Sequence, residues 1–103
     1  MIELLEVLLS ARGFRVDGAQ CVGEARVLLS TTPPDVVITD LEMPGDDGFD
    51  LLELIETSAH RVPVIALTGT ADERLLRRAR SSSFRDVLAK PYDSKLLFSA
   101  IGR

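Results

Sequence analysis

The sequence predicts an α/β fold in which a doubly wound, parallel β-sheet is covered by helices on both faces. Helical and strand patterns alternate strictly along the chain, beginning and ending with a helix. The runs at 36–38 and 62–67 are apolar without alternation, which is typical of parallel strands buried on both faces. Strict alternation at this spacing indicates right-handed βαβ units.

The first third of the chain predicts a helix, an edge strand and a second helix. Gly13 ends the first helical stripe, and the breaker cluster "STTPPD" at 30–35 closes the second. Between them, "FRVDGA" at 14–19 alternates apolar and polar residues, which predicts a strand with one wet face. The apolar residues of the two stripes recur at helical spacing: Ile2, Leu5, Leu8, Leu9 and Val22, Ala25, Leu28, Leu29.

The rest of the chain predicts three strands and three helices. The strands are predicted from three apolar runs, at 36–38, 62–67 and 87–89. The segment "GFDLLELIETSA" at 48–59 predicts the helix that crosses between the first two of them. Thr70 and Glu73 have the spacing of a capping box, which predicts a helix over 71–82. A last apolar stripe predicts the final helix, at Leu96, Leu97, Ala100 and Ile101.

Length and composition indicate one domain over residues 1–103 and a cytoplasmic protein. The chain is 46% hydrophobic and 27% charged, as soluble domains are, and its net charge of -4 disfavours a general nucleic-acid surface. A single cysteine excludes an internal disulfide, and the acidic start is unlike a signal peptide. No apolar run approaches the roughly 18 residues of a membrane span. Protein partners suit such a surface best.

Three polar side chains follow three of the predicted strands. Asp40, Thr68 and Lys90 each stand at the carboxyl end of an apolar run. In doubly wound sheets the functional groups collect beyond these strand ends. A carboxylate can accept a phosphoryl group, while a hydroxyl and an ammonium bind its oxygens and offset its charge. Pro44 and Gly48 are expected to shape the loop that follows Asp40.

The segments "DLEMPGDDG", "LTGTAD" and "LAKPYD" resemble the receiver domain of bacterial two-component response regulators, over essentially the whole chain. The resemblance implies a three-layer α/β/α, flavodoxin-like (CheY-like) fold whose five strands have the order 2-1-3-4-5, with 14–19 as strand 2. It implies that a sensor histidine kinase or phosphotransfer protein phosphorylates Asp40, that Thr68 is the switch hydroxyl and that Lys90 binds phosphate. It also implies that Asp40 and the backbone carbonyl of Glu42 are ligands of Mg²⁺.

The chain departs from this family pattern at two places. The family's first strand, with the acidic pair that holds Mg²⁺, is absent, so we expect four strands instead of five in an N-terminally truncated domain, and weakened Mg²⁺ binding. Asp46 and Asp47 are unconvincing substitutes for that pair. Val87 stands where the family usually has a Tyr or Phe that turns inward on activation.

The absent strand leaves a slot that the fold has to accommodate. With this slot empty, the predicted strand at 14–19 would lie about 10 Å from the predicted strand at 36–38, too far for backbone hydrogen bonds. Three explanations are open. The strand at 14–19 could move over to pair with the strand at 36–38, or another chain could fill the slot. The third explanation, which we favour, is that the sequence is a gene fragment.

Two functions are compatible with the sequence. The first is a phosphoacceptor module of a phosphorelay that signals by conformational change. The second is a pseudo-receiver or gene fragment that has lost phosphorylation and acts only as an interaction domain. An output domain or a second copy would dock on the helix 71–82, whose outer face is rich in arginine at Arg74, Arg77, Arg78 and Arg80. A haloacid dehalogenase-type enzyme is disfavoured because its second Asp is replaced here by Glu42.

Overall fold

The computed structural model describes residues 2–19, 21–41, 48–58, 62–69, 71–90 and 93–102, with side chains from Glu6 onward. Eight elements follow one another in these ranges: α1 (Ile2–Ala11), α2 (Val22–Thr31), β1 (Val37–Asp40), α3 (Gly48–Glu56), β2 (Val64–Thr68), α4 (Glu73–Arg80), β3 (Asp86–Ala89) and α5 (Ser94–Gly102). None of these helices has the length and apolar character needed to cross a membrane.

The three strands form a parallel sheet in the order β1-β2-β3. Asp40 of β1 is in register with Leu67 of β2, and Thr68 of β2 is in register with Ala89 of β3. The central strand β2 is buried along its whole length, as its unbroken apolar run predicts. The doubly wound α/β class expected from the sequence is therefore confirmed.

Two apolar clusters cover the two faces of the sheet. Alternate residues of β2 point to opposite faces, so Val64 and Ala66 belong to one cluster and Ile65 and Leu67 to the other. We call the first the α3/α4 cluster; its buried members are Leu29, Leu41, Phe49, Leu51, Leu52, Ile55, Val64, Ala66, Ala79 and Phe84. We call the second the α5 cluster; its buried members are Ile65, Leu67, Leu88, Leu97 and Ala100. Val87 is half-buried against the α3/α4 cluster.

The predicted edge strand at 14–19 is wrong. These residues form no strand, and the sheet of the described residues has three strands rather than the expected four. A strand needs a hydrogen-bonded neighbour about 4.8 Å away. Among the described residues, β1 pairs only with β2, so 14–19 have not moved over to pair with it. Alternation alone does not make a strand when no partner lies within reach.

The start of α4 also differs from the prediction. The helix begins at Glu73 rather than 71, and Asp72 is its N-cap: the Asp72 carboxylate accepts a hydrogen bond from the Arg74 amide at 2.9 Å. Asp is as good a capping residue as Thr, and it satisfies an amide that the helix leaves unpaired. The expected cap, Thr70, lies outside the described residues.

The strand that precedes α4 begins later than its apolar run suggests. Pro63 has no amide hydrogen to donate to a ladder, so β2 starts at Val64 instead of Val62. The Pro63 carbonyl still accepts a hydrogen bond from the Val37 amide at 2.9 Å, which fixes the start of β1 beside it.

Candidate functional site

The carboxyl ends of the three strands bring the three predicted site residues to one edge of the sheet. Asp40 and Thr68 are the last residues of β1 and β2, and Lys90 directly follows β3. The ladder continues one step past each outer strand: the Leu41 amide donates to the Leu67 carbonyl and the Lys90 amide to the Thr68 carbonyl, both at 2.8 Å. The backbone positions of the three residues are therefore fixed by hydrogen bonds to the central strand.

Asp40 and Lys90 form an ion pair across the end of β2. The Lys90 Nζ atom lies 2.7 Å from Asp40 Oδ1, and the two side chains are 30% and 26% exposed. Oδ1 is buried and has no aligned hydrogen bond among the described residues, so the contact is electrostatic rather than a well-directed hydrogen bond. The Asp40 side chain as a whole is nevertheless 26% exposed, so it is not sealed from an incoming group.

Thr68 lies beside this pair but on the other face of the sheet. Asp40 is in register with Leu67, so the next residue, Thr68, points to the opposite face, towards the α3/α4 cluster. Its side chain is only 2% exposed. Strand spacing and rise place the Asp40 and Thr68 Cα atoms about 6 Å apart. The structure thus joins two of the predicted residues and places the third next to them.

Gly48 holds the backbone of Asp40 from the side of α3. Its amide donates to the Leu41 carbonyl at 3.1 Å, and a Cβ atom at this position would lie 2.8 Å from the Asp40 carbonyl oxygen and 3.1 Å from the Leu41 Cα. Only a glycine fits so close to a neighbouring backbone. The loop that Pro44 and Gly48 were expected to shape lies outside the described residues at 42–47, and so does Pro44 itself, so that expectation stays a prediction.

Leu41 is a residue of this site that the sequence reasoning missed. It is 1% exposed, its amide is bound to Leu67 and its carbonyl to Gly48. It therefore fastens the chain immediately after Asp40 to both β2 and α3. The sequence did contain a signal for this role, because an apolar residue directly after Asp40 indicates that the chain stays buried there.

The described residues do not by themselves make a magnesium site. Mg²⁺ prefers six oxygen ligands, and no group of three or more His, Cys, Asp or Glu side chains that could hold a metal occurs within the described ranges. Of the expected ligands, Asp40 is described and contacts Lys90, while Glu42 lies outside the described residues, as do Asp46 and Asp47. Magnesium binding at this edge stays a prediction.

Comparison with known proteins gives consistent matches. The family model described as "Response regulator receiver domain" matches residues 1–102. The chain is 33% identical over 91 residues to the response regulator protein PilR of Pseudomonas aeruginosa, covering 88% of this chain but only 20% of PilR. It superposes on a response regulator receiver protein from Pseudomonas putida with a TM-score of 0.86 and 30% identity, covering 97% of this chain and 84% of that one.

A second solved structure is equally similar. The signal receiver domain of a signal transduction histidine kinase from Syntrophus aciditrophicus has a TM-score of 0.87 and 32% identity, with 99% of this chain and 79% of that chain covered. The three-layer, CheY-like fold implied by the motifs is thereby confirmed.

Proposed function

The chain belongs to the response regulator receiver domain family, and from this premise we propose that it is a phosphoacceptor module in which Asp40 is phosphorylated. The donor would be a phosphohistidine on a sensor histidine kinase or phosphotransfer protein, and the output a change in conformation. The observation that carries the proposal is the 2.7 Å contact between Lys90 Nζ and Asp40 Oδ1 at the carboxyl edge of the sheet.

The geometry suits transfer of a phosphoryl group to Asp40. A carboxylate oxygen of Asp40 would attack phosphorus. The new O–P bond would form as the P–N bond to the donor histidine breaks, and the histidine nitrogen would keep the electron pair. Lys90 offsets the negative charge that the phosphoryl group brings, since an ammonium at this distance is effective in a partly dehydrated site. The Cα atoms of Thr68 and Asp40 are about 6 Å apart. The Thr68 hydroxyl would therefore reach a phosphoryl oxygen on Asp40 if its side chain turned towards that face of the sheet.

Magnesium enters the proposal only as an expectation from the family. Asp40 would be its described side-chain ligand, with the Glu42 carbonyl beside it, and such a set is short of six oxygens. We therefore expect weak, millimolar-range binding of Mg²⁺.

A titration with beryllofluoride, a mimic of the phosphoryl group, tests the proposal. Wild type should bind it saturably in millimolar Mg²⁺, and Asp40→Asn should abolish binding. Asp35→Asn is the matched control, because Asp35 is an exposed carboxylate before β1. Absence of binding by the wild type would support the alternative, an interaction domain without phosphorylation.

The outer face of α4 is the surface that we propose for partners. Arg74, Arg77 and Arg80 are exposed there on a chain whose net charge is -4. An output domain or a second copy that presents carboxylates would be attracted to it. We also propose a cytoplasmic location, where a kinase or phosphotransfer protein would meet Asp40. Exchange of Arg74 and Arg77 for Glu should weaken such a complex without reducing beryllofluoride binding.

A further inference from the structure

The backbone of Asp40 is connected to α4 through one aromatic side chain. Gly48 touches the Asp40 carbonyl oxygen too closely for any Cβ atom, and its amide is bound to the Leu41 carbonyl. The next residue in the chain is Phe49, which is 8% exposed in the α3/α4 cluster. The residue that carries the ring is therefore joined by one peptide unit to the residue that rests on Asp40.

Among the described residues, Phe84 and Arg78 contact the Phe49 ring. The Phe84 ring meets it edge to face, with the ring centroids 5.7 Å apart and the planes at 63°. The Arg78 guanidinium of α4 lies over the ring, with Cζ 3.8 Å from its centroid. A guanidinium at this distance is attracted to the negative face of the ring.

Arg78 differs from the other arginines of α4 in this contact. Within the described residues, the Arg78 side chain stacks on Phe49. The side chains of Arg74, Arg77 and Arg80 contact no ring and no carboxylate of the described residues. The end of α4 is also fastened at Arg78, whose carbonyl accepts hydrogen bonds from the Ser81 hydroxyl at 3.1 Å and the Ser82 hydroxyl at 2.7 Å. The guanidinium is thus presented from a fixed backbone.

We propose that Arg78 is a positioning residue for the phosphoacceptor: by stacking on Phe49 it sets the place of Gly48 against the Asp40 backbone. This rests on the proposed function. Coupling between two sites is reciprocal, so occupation of the site also shifts the Arg78 contact.

Beryllofluoride affinity at fixed Mg²⁺ measures this coupling. Arg78→Gln should weaken binding about two- to fivefold, which is the size of one exposed cation–π contact. Arg78→Lys should restore most of the affinity because an ammonium also stacks on a ring. Arg77→Gln, one position earlier on the same helix and without a ring contact, should leave affinity unchanged. Phe49→Leu should weaken binding, and adding Arg78→Gln to it should cost nothing more.

Backbone amide chemical shifts provide a readout in the absence of any phosphoryl mimic. Arg78→Gln should move the resonances of Leu41 and Gly48, and Arg77→Gln should not. This measurement needs only the exposed substitutions, which do not threaten folding as Phe49→Leu does.

The possible results separate the inference from the function. A wild type that binds no beryllofluoride overturns the proposed function and the positioning role with it. A wild type that binds, with Arg78→Gln and Arg77→Gln indistinguishable in affinity and in the Leu41 and Gly48 shifts, overturns the positioning role alone. Additive effects of Phe49→Leu and Arg78→Gln would do the same.

Discussion

The residues before β1 and those from β1 onward are packed very differently. Of the apolar side chains described before β1, only Leu9 and Leu29 are buried, and Val7, Phe14 and Val27 are exposed by 66%, 41% and 59%. From β1 onward, β2 is buried along its whole length, and both of its faces are covered. The difference follows from the sheet: β2 has strands on both sides, whereas β1 pairs only with β2 among the described residues.

This contrast explains why the site is well defined although the segment 14–19 is not a strand. Asp40 is placed by backbone bonds to β2 and by Gly48 of α3. Lys90 is placed by a backbone bond to Thr68. None of these contacts uses α1, the segment 14–19 or α2, so the local geometry of the site depends on the densely packed part of the chain.

The largest expected difference between the two regions is in core stability. Leu97 of α5 is 0% exposed and Leu9 of α1 is 8% exposed. We expect Leu97→Ala to lower the free energy of unfolding by about 2–5 kcal/mol, the usual cost of removing a buried leucine side chain. Leu9→Ala should cost less than half as much, because α1 packs against a sparser part of the fold. Chemical denaturation measures both values.

Leu96→Ala is the control for this comparison. Leu96 lies next to Leu97 on the same helix but is 55% exposed, so its loss should stay within about 0.5 kcal/mol. Equal costs for Leu9→Ala and Leu97→Ala would contradict the contrast and show that α1 is as firmly packed as α5.

Two glycines give the next largest difference. Gly48→Ala places a methyl group against the Asp40 carbonyl and should destabilise the fold by about 1–3 kcal/mol, as overpacking does, while weakening beryllofluoride binding. Among the described atoms, the Cβ of Gly23→Ala in α2 would meet Cys21 Sγ at 3.8 Å, an ordinary contact. Because Gly23 lies in the first turn of α2, better helix propensity should stabilise the variant by up to about 0.5 kcal/mol, less than in a helix interior. Denaturation curves of the two variants should therefore shift in opposite directions. A harmless Gly48→Ala would contradict the proposed close approach.

The distribution of apolar residues predicted the sheet correctly where it was unbroken and wrongly where it alternated. Unbroken apolar runs predicted strands β1 and β2, because burial on both faces leaves its mark in the sequence itself. The convergence of Asp40 with Lys90 followed from the strand ends. The segment 14–19 was predicted wrongly, since alternation reports a wet face but not whether a hydrogen-bonded neighbour exists.

Other features of the site depend on contacts that are distant in sequence. Both Thr70 and Asp72 are good capping residues, so local pattern did not decide which one begins α4. The stacking of Arg78 on Phe49 joins residues on different helices, and neither side chain carries a local signal for it. The close approach of Gly48 to Asp40 was expected only in outline, because the backbone distance depends on how α3 packs against β1.

The ion pair of the site should matter more for binding than for stability. Because the Lys90 and Asp40 side chains are 30% and 26% exposed, solvent screens part of the attraction, and Lys90→Met should change the free energy of unfolding by no more than about 1 kcal/mol. Beryllofluoride affinity should fall at least about tenfold, since charge-assisted contacts to a bound oxyanion are among the stronger ones. Lys95→Met, an exposed lysine on α5, is the control and should leave affinity unchanged. An equal loss in both variants would mean that only net charge matters.

A second ion pair, in the segment 14–19, should have the smallest effect. Arg15 Nε lies 3.6 Å from Asp17 Oδ2, and the two side chains are 77% and 39% exposed. A pair of this length and exposure is screened by water and salt, and holding two long side chains together costs entropy. Arg15→Gln should therefore change the free energy of unfolding by less than about 0.5 kcal/mol, with no dependence on salt beyond that of the wild type. A larger loss of unfolding free energy that shrinks with added salt would show that this ion pair orders the segment 14–19. Electrostatic attraction would then stabilise a region that has few buried apolar side chains.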